Sequence, residues 1–170
     1  MRVGAVLRVP SYAASPLIAM FGAAALERIH SMKDVVVSSD GFLTQQIEAG
    51  NHRFTADEPT EAGGGDKGPD PYSLLLAALG ACTSMTLQLY ARHKGIPLEG
   101  VQVRLSHNRL HAQDCHECES EEGMVSRIER HITLTGPLSD AQKARLLEIA
   151  ARCPVHKTLT SEIVVKDYLS

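Results

Sequence analysis

The chain begins its clear patterning at residue 34. DVVVSSD, FLTQQIEA and HRFTADEP are short runs, β-branched or alternating, separated by Asp40-Gly41 and Gly50-Asn51. Such pairs between alternating runs close hairpins, so residues 34 to 56 predict an antiparallel meander. TEAGGGDKGPDP, residues 60 to 71, is too rich in Gly and Pro for anything but a loop. It delivers the chain into a helix over about 72 to 94, with Asp70 placed to cap it and Pro71 in its first turn. Leu74, Leu75, Leu76, Leu79, Met85, Leu87 and Leu89 leave this helix no polar face. A helix that is apolar all round is buried all round. One small domain hardly supplies that much cover, so the pattern places this helix at the middle of a dimer. Arg92, His93 and Lys94 suit the negative end of its dipole, and Gly95 stops it.

The second half repeats the logic. VQVRLSHNRLHA alternates as a strand from Val101, and VSRIERHITLTG alternates again through Ile128, Ile132 and Leu134. The acidic QDCHECESEEG between them makes the pair a long hairpin. Ser139 with Gln142 three residues later is a capping box for a second helix, whose apolar stripe is Leu146, Leu147, Ile149 and Ala150. Pro154 ends that helix just after Cys153. TSEIVVKDYL predicts a final strand. Strands, helix, two strands, helix, strand make an α+β domain.

Composition adds limits. With 170 residues and 44% hydrophobic residues, one domain with a real core is expected, here taken as 32–170. Tryptophan is absent and aromatics are 4%, so aliphatic residues must build the core, and oligomerisation would help it. The net charge of −3 gives no basic footprint, which argues against a nucleic-acid partner. Residues 1–31, alanine-rich with almost no acid until Glu27, are expected to be an N-terminal extension carrying a docked helix. Ser15 and Pro16 would open that helix, and Arg8 and Pro10 interrupt any leader-like or membrane-spanning run. Four cysteines, at 82, 115, 118 and 153, lack a disulfide-framework spacing, which fits a cytoplasmic protein away from the membrane.

Those cysteines carry the candidate chemistry. Cys82 lies deep in the first long helix. Cys153 ends the second, where Cys-Pro opens a new turn whose free N–H groups can stabilise a thiolate. From spacing alone the two read more readily as independent core residues, and no periodicity forces them to pair. His107, His111, Cys115, His116 and Cys118 have the look of a zinc site, but one Cys-x-x-Cys among acids reads as a solvated loop with no bound metal or cofactor.

GPDPYSLLLAALGACTSMT and LSDAQKARLLEIAARCPVHKTL resemble the two motifs of the family of osmotically inducible protein C and the organic hydroperoxide resistance proteins. The likeness extends over roughly residues 34 to 168. It implies an OsmC-like fold, an intertwined homodimer with two long central helices wrapped by antiparallel sheets. It also implies a thiol-dependent peroxidase for organic hydroperoxides. By motif position Cys82 matches the peroxidatic cysteine and Cys153 the resolving one, with a Cys82–Cys153 disulfide as the oxidised product. The reductant would be a dithiol such as dihydrolipoamide or a lipoylated protein. The family also uses an arginine to stabilise the thiolate, held by a glutamate ten residues before the first cysteine. Here Tyr72 stands at that place, and Arg53 on an early strand is the candidate arginine. The departure at Tyr72 keeps a second reading open: a non-catalytic dimer that binds a small hydrophobic ligand or senses redox state.

Overall fold

The computed structural model describes residues 34–39, 41–115 and 122–169. The N-terminal extension, Asp40, His116 and Cys118 lie outside the described residues. From Val35 onward the chain forms one compact unit.

Strands β1 (Val35–Ser39), β2 (Gln45–Ala49) and β3 (His52–Ala56) form the expected antiparallel meander, in the order β1-β2-β3. Ala49 pairs with His52, so Gly50 and Asn51 make a two-residue turn, with Gly50 at φ 64°. Ile47 is buried, whereas Val35, Val36 and Val37 are all more than half exposed.

The loop after β3 is organised by Asp57, which is 2% exposed. One carboxylate oxygen accepts from the Glu58 N–H at 2.9 Å; the other accepts from Gly65 N–H at 3.0 Å, Lys67 N–H at 3.3 Å and the Thr44 hydroxyl at 3.3 Å. Burial pushes the carboxyl pKa up, but the bonds from Lys67, Gly65, Glu58 and Thr44 outweigh it and hold it below the usual value. The loop passes so close to β3 that a Cβ on Gly68 would overlap the Thr55 carbonyl oxygen.

Helix α1 (Pro71–Lys94) begins as the sequence predicts: the Asp70 side chain accepts from the N–H groups of Tyr72 and Ser73, and Pro71 occupies the first turn. It ends at Gly95, φ 64°, whose N–H reaches the carbonyls of Ala91 and Arg92. Strands β4 (Gly100–His111) and β5 (Met124–Thr135) pair antiparallel along their full length, Gly100 with Thr135 and His111 with Met124. Period-two alternation puts Val101, Val103, Leu105 and His107 on one face with Leu134, Ile132, Arg130 and Ile128 opposite them. Helix α1 packs against β4 and against helices α2 (Asp140–Ala150) and α3 (Pro154–Leu159). Leu79, Leu87, Leu146, Ile149 and Cys153 form the centre of this core. The capping box at α2 forms as expected: the Gln142 N–H donates to Ser139 Oγ at 3.3 Å, and Gln142 Oε1 accepts from the Ser139 N–H at 2.9 Å.

Helix α1 is long and apolar enough to cross a membrane by length and composition, but within the chain it is a core helix with one side left open. Met85 and Leu89 are exposed on it. Two expectations change. Leu147, placed by the sequence on the buried stripe of α2, is 62% exposed, and only Leu146, Ile149 and Ala150 of that stripe are buried. Residues 162–169 form no strand; Ile163, Val164 and Val165 are 54, 70 and 78% exposed. A β-prone run becomes a strand only when another strand meets its N–H and C=O groups, and none of the described strands does so.

Candidate active site

The site lies where α1, the turn before α3 and β5 converge. Cys153 is fully buried and caps α3 from its N-terminal side; its Sγ accepts from the His156 N–H at 3.2 Å. The second thiol comes from α1. Cys82 is half-buried, and the Cys153 thiol and the Val155 N–H lie near enough to influence its ionisation. The first turn of α3 thus turns the His156 N–H to the Cys153 sulfur and brings the Val155 N–H near Cys82. Neither cysteine is in a disulfide, whereas Cys115 is. Among the described residues no cluster of side chains is built to hold a metal ion.

The balance of influences on Cys82 is uneven. Burial pushes its thiol pKa up; the Val155 N–H opposes this, the neighbouring Cys153 adds to it, and the Thr86 hydroxyl opposes it. The thiol form therefore predominates at neutral pH. His156 is held low by burial first and by the Arg130 charge second, so its imidazole is neutral there.

Threonine links the cysteines to a cation. Thr83 Oγ1, fully buried beside Cys82, lies 2.7 Å from the Leu79 carbonyl and 3.8 Å from Cys153 Sγ. Arg130 Nη1 donates to Thr83 Oγ1 at 2.9 Å and to the Ala150 carbonyl at 3.2 Å. The sequence-based reading passed over Arg130. Its signal was nonetheless present: Arg130 shares the parity of Ile128, Ile132 and Leu134, so a cation interrupts the inward stripe of a strand.

The cysteine pair predicted from the motifs is brought together. Arg53 stands elsewhere in the described chain, opposite Glu48 on the neighbouring strand. It pairs with that carboxylate at 3.1 Å, largely exposed. Tyr72 does not enter the site either; its ring stacks on His107 with centroids 4.7 Å apart. On another side of α1, Ser73, Leu76, Gly80, Ala81, Val103 and Leu105 help line an open groove of about 450 Å³.

A long core helix and the turn after a second helix, which bring one cysteine each to a common site, together with a meander and a long hairpin, make an OsmC-like α+β fold. Residues 63–166 match the model of the OsmC-like protein family, and the chain belongs to that family. Among solved structures it is similar to an OsmC-like protein from Mycoplasma pneumoniae (22% identity, TM-score 0.59, 74% of this chain and 85% of that one). It is also similar to an organic hydroperoxide resistance protein, OsmC, from Legionella pneumophila (20%, 0.56, 76% and 91%). A third is the organic hydroperoxide resistance protein OhrB of Bacillus subtilis (18%, 0.54, 76% and 93%). No curated protein matches the chain.

Proposed function

We propose that this protein is a cytoplasmic, cysteine-based organic hydroperoxide reductase that acts in oxidative-stress defence. The observation that carries the reading is the meeting of two reduced thiols of unequal exposure, Cys82 half-buried and Cys153 fully buried. Only Cys82 is open to an incoming peroxide. Its thiolate attacks the peroxide oxygen distal to the organic group; the O–O bond breaks, the alcohol leaves, and Cys82 becomes a sulfenic acid. Cys153 then attacks the sulfenic sulfur, forming the disulfide and releasing water. A dithiol such as dihydrolipoamide or a lipoylated protein restores both thiols by exchange. Exposed Met85 and Leu89 on α1, together with the strandless Ile163–Val165 run, support a homodimer in which a second chain covers these surfaces. A cation beside Cys82 would offset the effect of burial on its thiol, and Arg53 is the candidate for that role.

The test adds one equivalent of cumene hydroperoxide to the reduced chain, quenches within about a second and maps disulfides by mass spectrometry. A Cys82–Cys153 bond, formed faster than with hydrogen peroxide, is the expected result. Two free thiols after minutes would instead favour the second reading, a dimer that holds a small hydrophobic ligand, for which the apolar groove between α1 and β4 is the supporting feature.

A further inference from the structure

We propose that Arg130 is a positioning residue for the resolving thiol: acting through Thr83, it supports Cys153 when that thiol ionises and aims it at an oxidised Cys82. The inference rests on the peroxidase reading for its purpose, but its physical content does not depend on peroxide.

Arg130 lies on the apolar face of β5, between Ile128 and Ile132, and is only part-exposed. A guanidinium partly withdrawn from water on an apolar face gains from an anion within reach. Among the described residues none of the ion pairs includes Arg130. Its recorded acceptors are neutral: the Thr83 hydroxyl and the Ala150 carbonyl. The groups beyond that hydroxyl able to become anionic are the two thiols.

The hydroxyl suits a relay. It carries one proton and two lone pairs. With Cys153 protonated, Thr83 accepts from Arg130 and gives its proton to the Leu79 carbonyl at 2.7 Å. When Cys153 ionises, the same proton can turn to Sγ, 3.8 Å away, while Arg130 continues to donate from behind. The thiolate then has the His156 N–H on one side and the Thr83 hydroxyl on the other. The titratable and charged groups facing it are Cys82 from α1, Arg130 from β5 and the neutral His156 from α3; Arg152, on the turn after α2, is exposed.

The benefit falls on the second chemical step. The Cys153 thiolate attacks the Cys82 sulfenic sulfur, an S–S bond forms, the S–O bond breaks, and hydroxide leaves to take a proton from solvent. The hydroperoxide has already supplied the oxidation.

The test follows thiolate absorbance near 240 nm against pH in a Cys82→Ser chain, with Cys82→Ser/Cys153→Ser as the blank. In that background Arg130→Met and Thr83→Val should each raise the Cys153 midpoint by about one pH unit or more, a tenfold loss of thiolate. Arg130→Lys should fall between them and the parent. Unchanged midpoints in Arg130→Met and Thr83→Val would overturn the proposal. A shift in Arg130→Met without one in Thr83→Val would overturn the route through threonine. Arg130→Lys and Thr83→Val keep the test alive should Arg130→Met not fold. No peroxide is used, so an inert Cys82 would sink the peroxidase reading and leave this one standing.

Discussion

Thr83 and Cys153 are 70 positions apart, yet the hydroxyl of one lies 3.8 Å from the sulfur of the other. That contact exists because α1 carries Cys82 and Thr83 side by side into the turn that ends α2. The pairing of thiols, and the reach of Arg130 toward them, both follow from this one packing arrangement.

The two thiols should differ sharply toward a bulky alkylating agent. Cys82 is half-buried and Cys153 is fully buried. With N-ethylmaleimide at pH 8, peptide mapping should find Cys82 labelled at least tenfold faster. Equal labelling would mean that the α3 turn opens readily, and the assigned order of oxidation would lose its basis.

Removal of each cysteine should separate the two chemical steps. Cys153→Ser should still consume one equivalent of cumene hydroperoxide and leave a dimedone-reactive sulfenic acid on Cys82. Cys82→Ser should consume none on the same timescale. Adduct formation on Cys153 in the latter variant would reverse the assigned roles.

The open side of α1 should behave as an interface. Met85 is 64% exposed in the middle of an apolar helix. Sedimentation of the native chain should give a dimer, and Met85→Glu should shift it toward monomer and lower its thermal midpoint. A buried methionine side chain contributes roughly 1.5–3 kcal/mol, so the effect is readily measured. A monomeric native chain would remove the homodimer from the proposal.

Acid should loosen the loop that Asp57 organises. The folded-state carboxyl pKa lies below its usual value, so the native state binds protons less readily than the unfolded chain. The stabilisation is therefore present above the unfolded pKa, near 3.8, and is lost as pH falls through the lower folded value. Amide exchange at Gly65 and Lys67 should accelerate in that window, and Asp57→Asn should show the acceleration already at pH 7. Identical protection in the two chains would show that the loop does not depend on this charge.

At the start of α2, Ser139→Ala should cost about 1 kcal/mol in urea unfolding, because it removes the Oγ that accepts from the Gln142 N–H and leaves only the half of the capping box made by the residue 139 backbone N–H.

Local rules made much of this protein legible from sequence. Asp70 and Ser139 as caps, Gly95 as a stop, Gly50-Asn51 as a turn and the period-two runs of β4 and β5 depend on near neighbours, so their elements could be read residue by residue. The two cysteine motifs were legible as well, and through them the family. Tertiary structure decided the rest. Alternation places Arg130 on the inward stripe of β5, but only packing brings its guanidinium to Thr83 on α1 and to the Ala150 carbonyl at the end of α2. Arg53 found Glu48 because two strands paired in one register. The run at Ile163 had strand propensity but no strand, because a ladder needs a partner and propensity supplies none. Periodicity says which side of an element is apolar. Which groups then meet across 47 or 70 positions is settled only when those sides pack together.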